Sequence, residues 1–191
     1  MTSILKVDNL QDASGTGTPY IKGAVLQTVV QQEDGATSFT ASGTNDVIML
    51  ASNAADSSSH LSLSITPKSA NSKILLTSCV FHEVNNTGSQ STLWSFYRDS
   101  TKLAAPIAGS RRSGIGQTAI GFYTADAAST ADVVNYHYYD SPNTTSAITY
   151  SVSFNHTISG TVLYLNRTVA DQSSSGYERG ISILIAQEIG G

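Results

Sequence analysis

The sequence predicts an all-β protein: an antiparallel, jelly-roll-like β-sandwich over residues 23–191, preceded by an extended N-terminal segment over residues 1–22. Three observations lead there. Apolar residues recur at the strand period of two, most cleanly where Ile148, Tyr150, Val152 and Phe154 alternate with Thr149, Ser151 and Ser153. Short segments of this kind, roughly eight to ten of them, are separated by Gly, Pro and Asn turns, and no helical period is sustained. Charged residues are only 13% of the chain while Ser and Thr make up about a quarter, which suits sheets whose outer faces are polar but neutral.

Taken in order, Ser3–Leu10 alternates weakly and runs into the Gly- and Thr-rich stretch Asp12–Pro19, which breaks any regular element. An extended tail carrying Ile4, Leu5, Val7 and Leu10 is suited to adding a strand to a neighbouring protein, so these four residues are the expected attachment points. Gly23 opens the first core strand, Ala24–Val30, and Thr37–Leu50 holds one or two short strands before the small-residue loop Ala51–Ser59. His60–Thr66 puts Leu61, Leu63 and Ile65 on one face, hydroxyls on the other, and stops at Pro67. Lys73–His82 and Thr92–Arg98 are apolar on both sides. Asp99–Thr101 makes a tight turn, and the long loop Ala104–Gln117 follows. Ala119–Ala125, Val133–Tyr139, Ala147–Phe154, Thr161–Arg167 and Gly180–Ile189 read as the remaining strands. In the last of these, Ile181, Ile183 and Ile185 are expected to fill the core and Leu184 to face outward.

Two-sided strands have a consequence for assembly. The outer faces of a monomeric sandwich should be polar, so Leu75, Phe81, Leu93 and Leu184 are expected at a subunit interface in a cyclic homo-oligomer. The single cysteine, Cys79, lies in an apolar run and reads as a buried, inert thiol, consistent with folding in a reducing compartment. Residues 1–8 lack the basic start and apolar stretch of a secretory signal, and no segment has the ~20 continuous apolar residues of a membrane-spanning helix. Net charge is −4 and the densest basic cluster is Arg111-Arg112, so nucleic acid is not an expected partner.

Several short motifs, in order along nearly the whole chain, resemble the tail-fibre and fibre-like structural proteins of marine and environmental tailed bacteriophages. The N-terminal match is Ser3–Gly15. The remainder comprises Gly23–Gln27, Leu63–Pro67 with Ser72–Leu75, Tyr97–Thr101, Tyr139–Pro142, Thr145–Tyr150, Tyr164–Arg167 and Arg179–Ser182. The resemblance implies a non-enzymatic virion component made in the host bacterial cytoplasm. It also implies a homotrimer whose N-terminal segment joins another virion structural protein and whose sandwich faces outward. It carries no shared binding residues. Tail fibre, tail-tip adhesin and head-surface fibre all fit it, and a head-decoration or tail-assembly protein without receptor contact is the alternative.

Chemical motifs are sparse. His82-Glu83 begins like a zinc-protease signature, but position 86 is Asn86 and the segment reads as a strand rather than a helix. Gly114–Ala119 matches a dinucleotide fingerprint by letter, without the parallel strand before it or the helix after it. The acids are dispersed, which argues against the facing carboxylates of a polysaccharide hydrolase. The expectation is therefore no catalytic residue, no metal and no cofactor. Contact with a host-surface glycan or protein falls instead to loops: Arg111 and Arg112, whose guanidiniums suit phosphate or acidic sugar, and Asn85, Asn86 and Asn143. The Tyr136–Tyr139 strip can stack on sugars but reads first as core or interface, and Trp94 as core.

Overall fold

Alternation along each strand becomes layering once strands pair. The computed structural model describes residues 22–85, 91–107, 109–118 and 129–191. Its strands are β1 (Val25–Glu33), β2 (Thr37–Thr40), β3 (Val47–Ile48), β4 (Ser62–Ile65), β5 (Lys73–Val84) and β6 (Leu93–Arg98). They continue with β7 (Thr101–Leu103), β8 (Gly116–Gln117), β9 (Asp132–Asp140), β10 (Ile148–Asn155), β11 (Val162–Leu165) and β12 (Ser182–Ile189). The first sheet runs β1-β12-β5-β11-β2, with β9 on the opposite edge of β5; the second runs β3-β10-β6-β7, with β4 also on β10 and β8 on β6. All pairings are antiparallel, and the two sheets enclose one core, so the chain is an all-β sandwich.

The alternating strands behave as their pattern demands. Ile148, Tyr150, Val152 and Phe154 of β10 all point into the core, as do Ile74, Leu76 and Val80 of β5. Trp94 and Phe96 of β6 meet Tyr136 of β9 across the sandwich, with the Phe96 and Tyr136 ring centroids 4.6 Å apart. Trp94 is fully buried and Tyr136 nearly so, which places both in the core. The β6–β7 hairpin turns at Asp99, whose left-handed φ of 51° is one that Asp tolerates.

Four expectations need correction or placement. In β12 the faces are reversed: Leu184 is fully buried, whereas Ile183 and Ile185 lie on the outer face and Ile181 is 55% exposed. The cause lies in the inner polar residues. Ser182 donates to Asn166 Oδ1 at 2.6 Å and accepts from the Phe81 amide, and buried Glu188 accepts from the Lys68 amide and Gln27 Nε2. Satisfied in this way, Ser182 and Glu188 can share the inner face with Leu184 and Ala186, so Leu184 is no interface residue. Leu93 is not a bare outer residue either, because the chain's own loop lies against it: a β-carbon at Gly114 would collide with Leu93 and the Trp94 carbonyl. Cys79 is half-buried on the outer face of β5 rather than in the core, and that partial burial raises its thiol pKa. The expected strand at Ala119–Ala125 lies outside the described residues, as do Asn86 and the attachment residues Ile4, Leu5, Val7 and Leu10.

Candidate functional site

The long loop 104–117 is anchored at both ends to the second sheet. Ile115 N donates to the Trp94 carbonyl at 2.7 Å and Ala105 N to the Gly114 carbonyl at 3.3 Å, with Ser113 Oγ also bonded to the Ala105 carbonyl. Beneath the loop tip is a cleft of about 530 Å³ lined by, among others, Thr44, Lys102, Ile107, Arg111, Arg112 and Asn155. Arg111 and Arg112 bring two guanidiniums to this cleft, beside Lys102, whose charge is paired with Asp46 at 2.8 Å, and the 78%-exposed Ile107 gives it an apolar rim, so an acidic ligand suits it.

The floor of the cleft is a polar network built on the outer face of the second sheet. Asp46 accepts from Asn155 Nδ2 at 2.6 Å, from Lys102 Nζ at 2.9 Å and from Tyr97 Oη at 2.9 Å. Burial, with the hydrogen bond to Asp46 second, pushes the Tyr97 hydroxyl up to about 12, so it stays a donor to Asp46. Asn155 in turn accepts from Arg112 Nη1 at 2.8 Å, and Arg112 also donates to the Ser91 carbonyl at 2.7 Å. The two adjacent arginines therefore differ. Arg112 fixes the loop to the sheet, while Arg111 is exposed at the tip.

The remaining expected contact residues do not join this cleft. Asn85 ties β5 to β11, its side chain accepting from the Val162 amide at 2.8 Å and its own amide donating to the Val162 carbonyl. Asn143 is exposed in the turn before β10, with a left-handed φ of 53°, whereas Arg112 is bound at Asn155 at the other end of that strand. One host-facing cluster of Arg111, Arg112, Asn85 and Asn143 is therefore not formed. Lys102, Asp46 and Asn155 are the site residues that sequence reasoning missed. The available signal was Asn155 itself, which continues the polar face of β10 beyond Ser151 and Ser153.

A second polar group lies between the sheets. Trp94 Nε1 donates to Thr118 Oγ1 at 2.9 Å, Thr118 Oγ1 lies 3.1 Å from His82 Nε2, and His82 Nδ1 lies 3.2 Å from the Val80 carbonyl. A neutral His82 carrying its proton on Nδ1 satisfies every contact, and burial pushes its pKa down to about 4. Sealed under Trp94, it serves the core rather than a ligand. Among the described residues, no group of three or more His, Cys, Asp or Glu is placed to hold a metal ion. No helix among them is long and apolar enough to cross a membrane.

No family model matches the chain, and no curated protein matches it. Its functional reading therefore rests on its own residues.

Proposed function

We propose that this protein is a non-enzymatic bacteriophage virion module, a trimeric fibre or fibre-like appendage joined to the particle through its N-terminal segment. Ile4, Leu5, Val7 and Leu10 provide the joint, and the cleft under loop 104–117 provides contact with an acidic host-surface glycan or protein.

What supports the reading is where its motifs meet. Tyr97–Thr101, Tyr139–Pro142 and Thr145–Tyr150 are far apart in sequence yet share one polar clasp. Arg98 Nη1 donates to both Asp140 oxygens at 2.9 and 2.8 Å, Tyr150 Oη donates to Asp140 at 2.6 Å, and Asp99 Oδ1 accepts from the Thr149 amide. Tyr164–Arg167 and Arg179–Ser182 share a second. There Asn166, in the left-handed region at φ 60°, accepts from Ser182 Oγ and donates to the Glu33 and Gly35 carbonyls. The segments that carry the resemblance are thus coupled parts of one framework.

One observation favours the alternative of a decoration or tail-assembly protein without receptor contact: Arg112 directs its guanidinium at the chain's own Ser91 and Asn155. An antibody raised against the full chain tests the virion reading on purified particles of the phage encoding it. Decoration at a fixed site on head or tail is expected; particles that lack the chain would refute the reading.

A further inference from the structure

The outer face of the first sheet stands out from the rest of the surface by its chemistry. Its side chains come from four adjacent strands, β1, β12, β5 and β9, in register: Val30 beside Ile185, Ile183 beside Cys79, Leu75 beside Tyr139, and Phe81 beside Val133. Val30 is 51% and Tyr139 58% exposed. On the uncovered part of this face the outward positions hold one ammonium, Lys73, and the neutral polar side chains of Thr28, Gln32, Thr77, Asn135, His137 and Gln187, on a chain whose net charge is −4; the one outward carboxylate, Glu83, lies at the covered end. With Ile183, Ile185 and Ile189 outward on β12 alone, this nearly uncharged face leaves more apolar surface to be covered than the outer face of the second sheet, where β10 presents Thr149, Ser151, Ser153 and Asn155.

The fold covers this face at one end only. Glu83, on the same side of β5, is sealed by segments whose Thr130 and Val169 amides donate to its carboxylate at 2.8 and 2.7 Å. The chain then passes so close over Phe81 that a β-carbon at Gly180 would collide with the ring. From Cys79 to Lys73 the outward residues of β5 are half-buried rather than sealed. Four strands about 4.8 Å apart and roughly eight residues long at about 3.4 Å each give a face of about 500 Å² in plan. That approaches the ~800 Å² per partner of a stable protein interface, and much exceeds what a single bound peptide side chain needs.

We infer that this face is where copies of this chain meet, with Ile183, Ile185, Leu75 and Cys79 at the centre of the contact and Val30 and Tyr139 at its flanks. A second copy fits because the face bears almost no charge, so copies converging on a threefold axis, each face meeting the flank of the next, encounter no repulsion between like charges there. The inference deepens the trimeric reading proposed above and rests on that reading only for the number three.

Cys79, the one cysteine of the chain, is a built-in reporter. The full chain is titrated from about 0.1 to 100 µM, following its mass by sedimentation and the rate at which Cys79 is alkylated by a maleimide. Association accompanied by at least about a tenfold slowing of alkylation is expected. Ile185→Lys, and Val30→Lys at the exposed edge strand, should both abolish association and restore fast labelling while retaining the β-sheet circular dichroism of the parent. Cys79 protection that does not change with concentration in a monomer would overturn the inference in favour of cover by the chain's own N-terminal segment. A monomer with rapidly labelled Cys79 throughout, or association indifferent to both lysine variants, would overturn it outright. Lysine-sensitive association with a copy number other than three would uphold the interface and refute the trimer.

Discussion

His82, Leu184 and Asn166 show how single residues here are defined by what surrounds them. His82 is neutral in the core with its pKa pushed down to about 4, against an ordinary value of 6.5. The unfolded chain therefore binds a proton that the native chain refuses as pH falls below 6.5. Stability attributable to this residue is intact above pH 6.5, declines by about 1.4 kcal/mol per pH unit toward pH 4, and levels below it at a loss of about 3 kcal/mol. Urea unfolding followed by Trp94 fluorescence at pH 7, 5.5 and 4 should show that decline, and His82→Gln should remove most of its slope. Equal slopes in both proteins would mean that His82 is not the titrating group. Leu184→Ala removes a fully buried side chain and should cost about 3 kcal/mol of unfolding free energy. A loss below about 1 kcal/mol would contradict its place in the core.

At the level of elements, alternation was legible and its direction was not always so. β10 and the β6–β7 hairpin follow directly from side-chain period and turn residues. β12 does not, because hydrophobicity assigns the core to three isoleucines whereas Ser182 and Glu188 are drawn inward by Asn166, Lys68 and Gln27, none of which lies nearby in sequence. The loop 104–117 shows the same division. Its length and its Arg111-Arg112 pair were visible in sequence, but the inward role of Arg112 depends on Asn155 and Ser91, brought alongside only by folding. The two arginines should consequently separate on substitution. Arg112→Ala is expected to lower the midpoint of thermal unfolding by several degrees and expose the loop to proteolysis, the usual effect of losing about 1–2 kcal/mol of charge-assisted hydrogen bonds. Arg111→Ala should lower the midpoint less than Arg112→Ala does and weaken adsorption of particles to host cells. Identical behaviour of the two variants in both assays would contradict the division of labour.

For the whole molecule, the two sheets have unlike exteriors. The second sheet carries a hydrogen-bonded polar network around Asp46, topped by a cationic cleft. The first carries a nearly uncharged apolar face with Cys79 at its centre. A sandwich built this way has one side that remains stable in water and one that calls for cover, and a threefold assembly would place the first outward and the second against its copies. Leu75 and Phe81 were legible as two-sided strand residues, yet which neighbours share their face, Ile183, Ile185, Val30 and Tyr139, emerged only from strand register. The most direct measurement of this account is the native mass of the full chain at micromolar concentration. The account predicts a species at three times the 20.1 kDa chain mass; a single species at 20.1 kDa under the same conditions would contradict it.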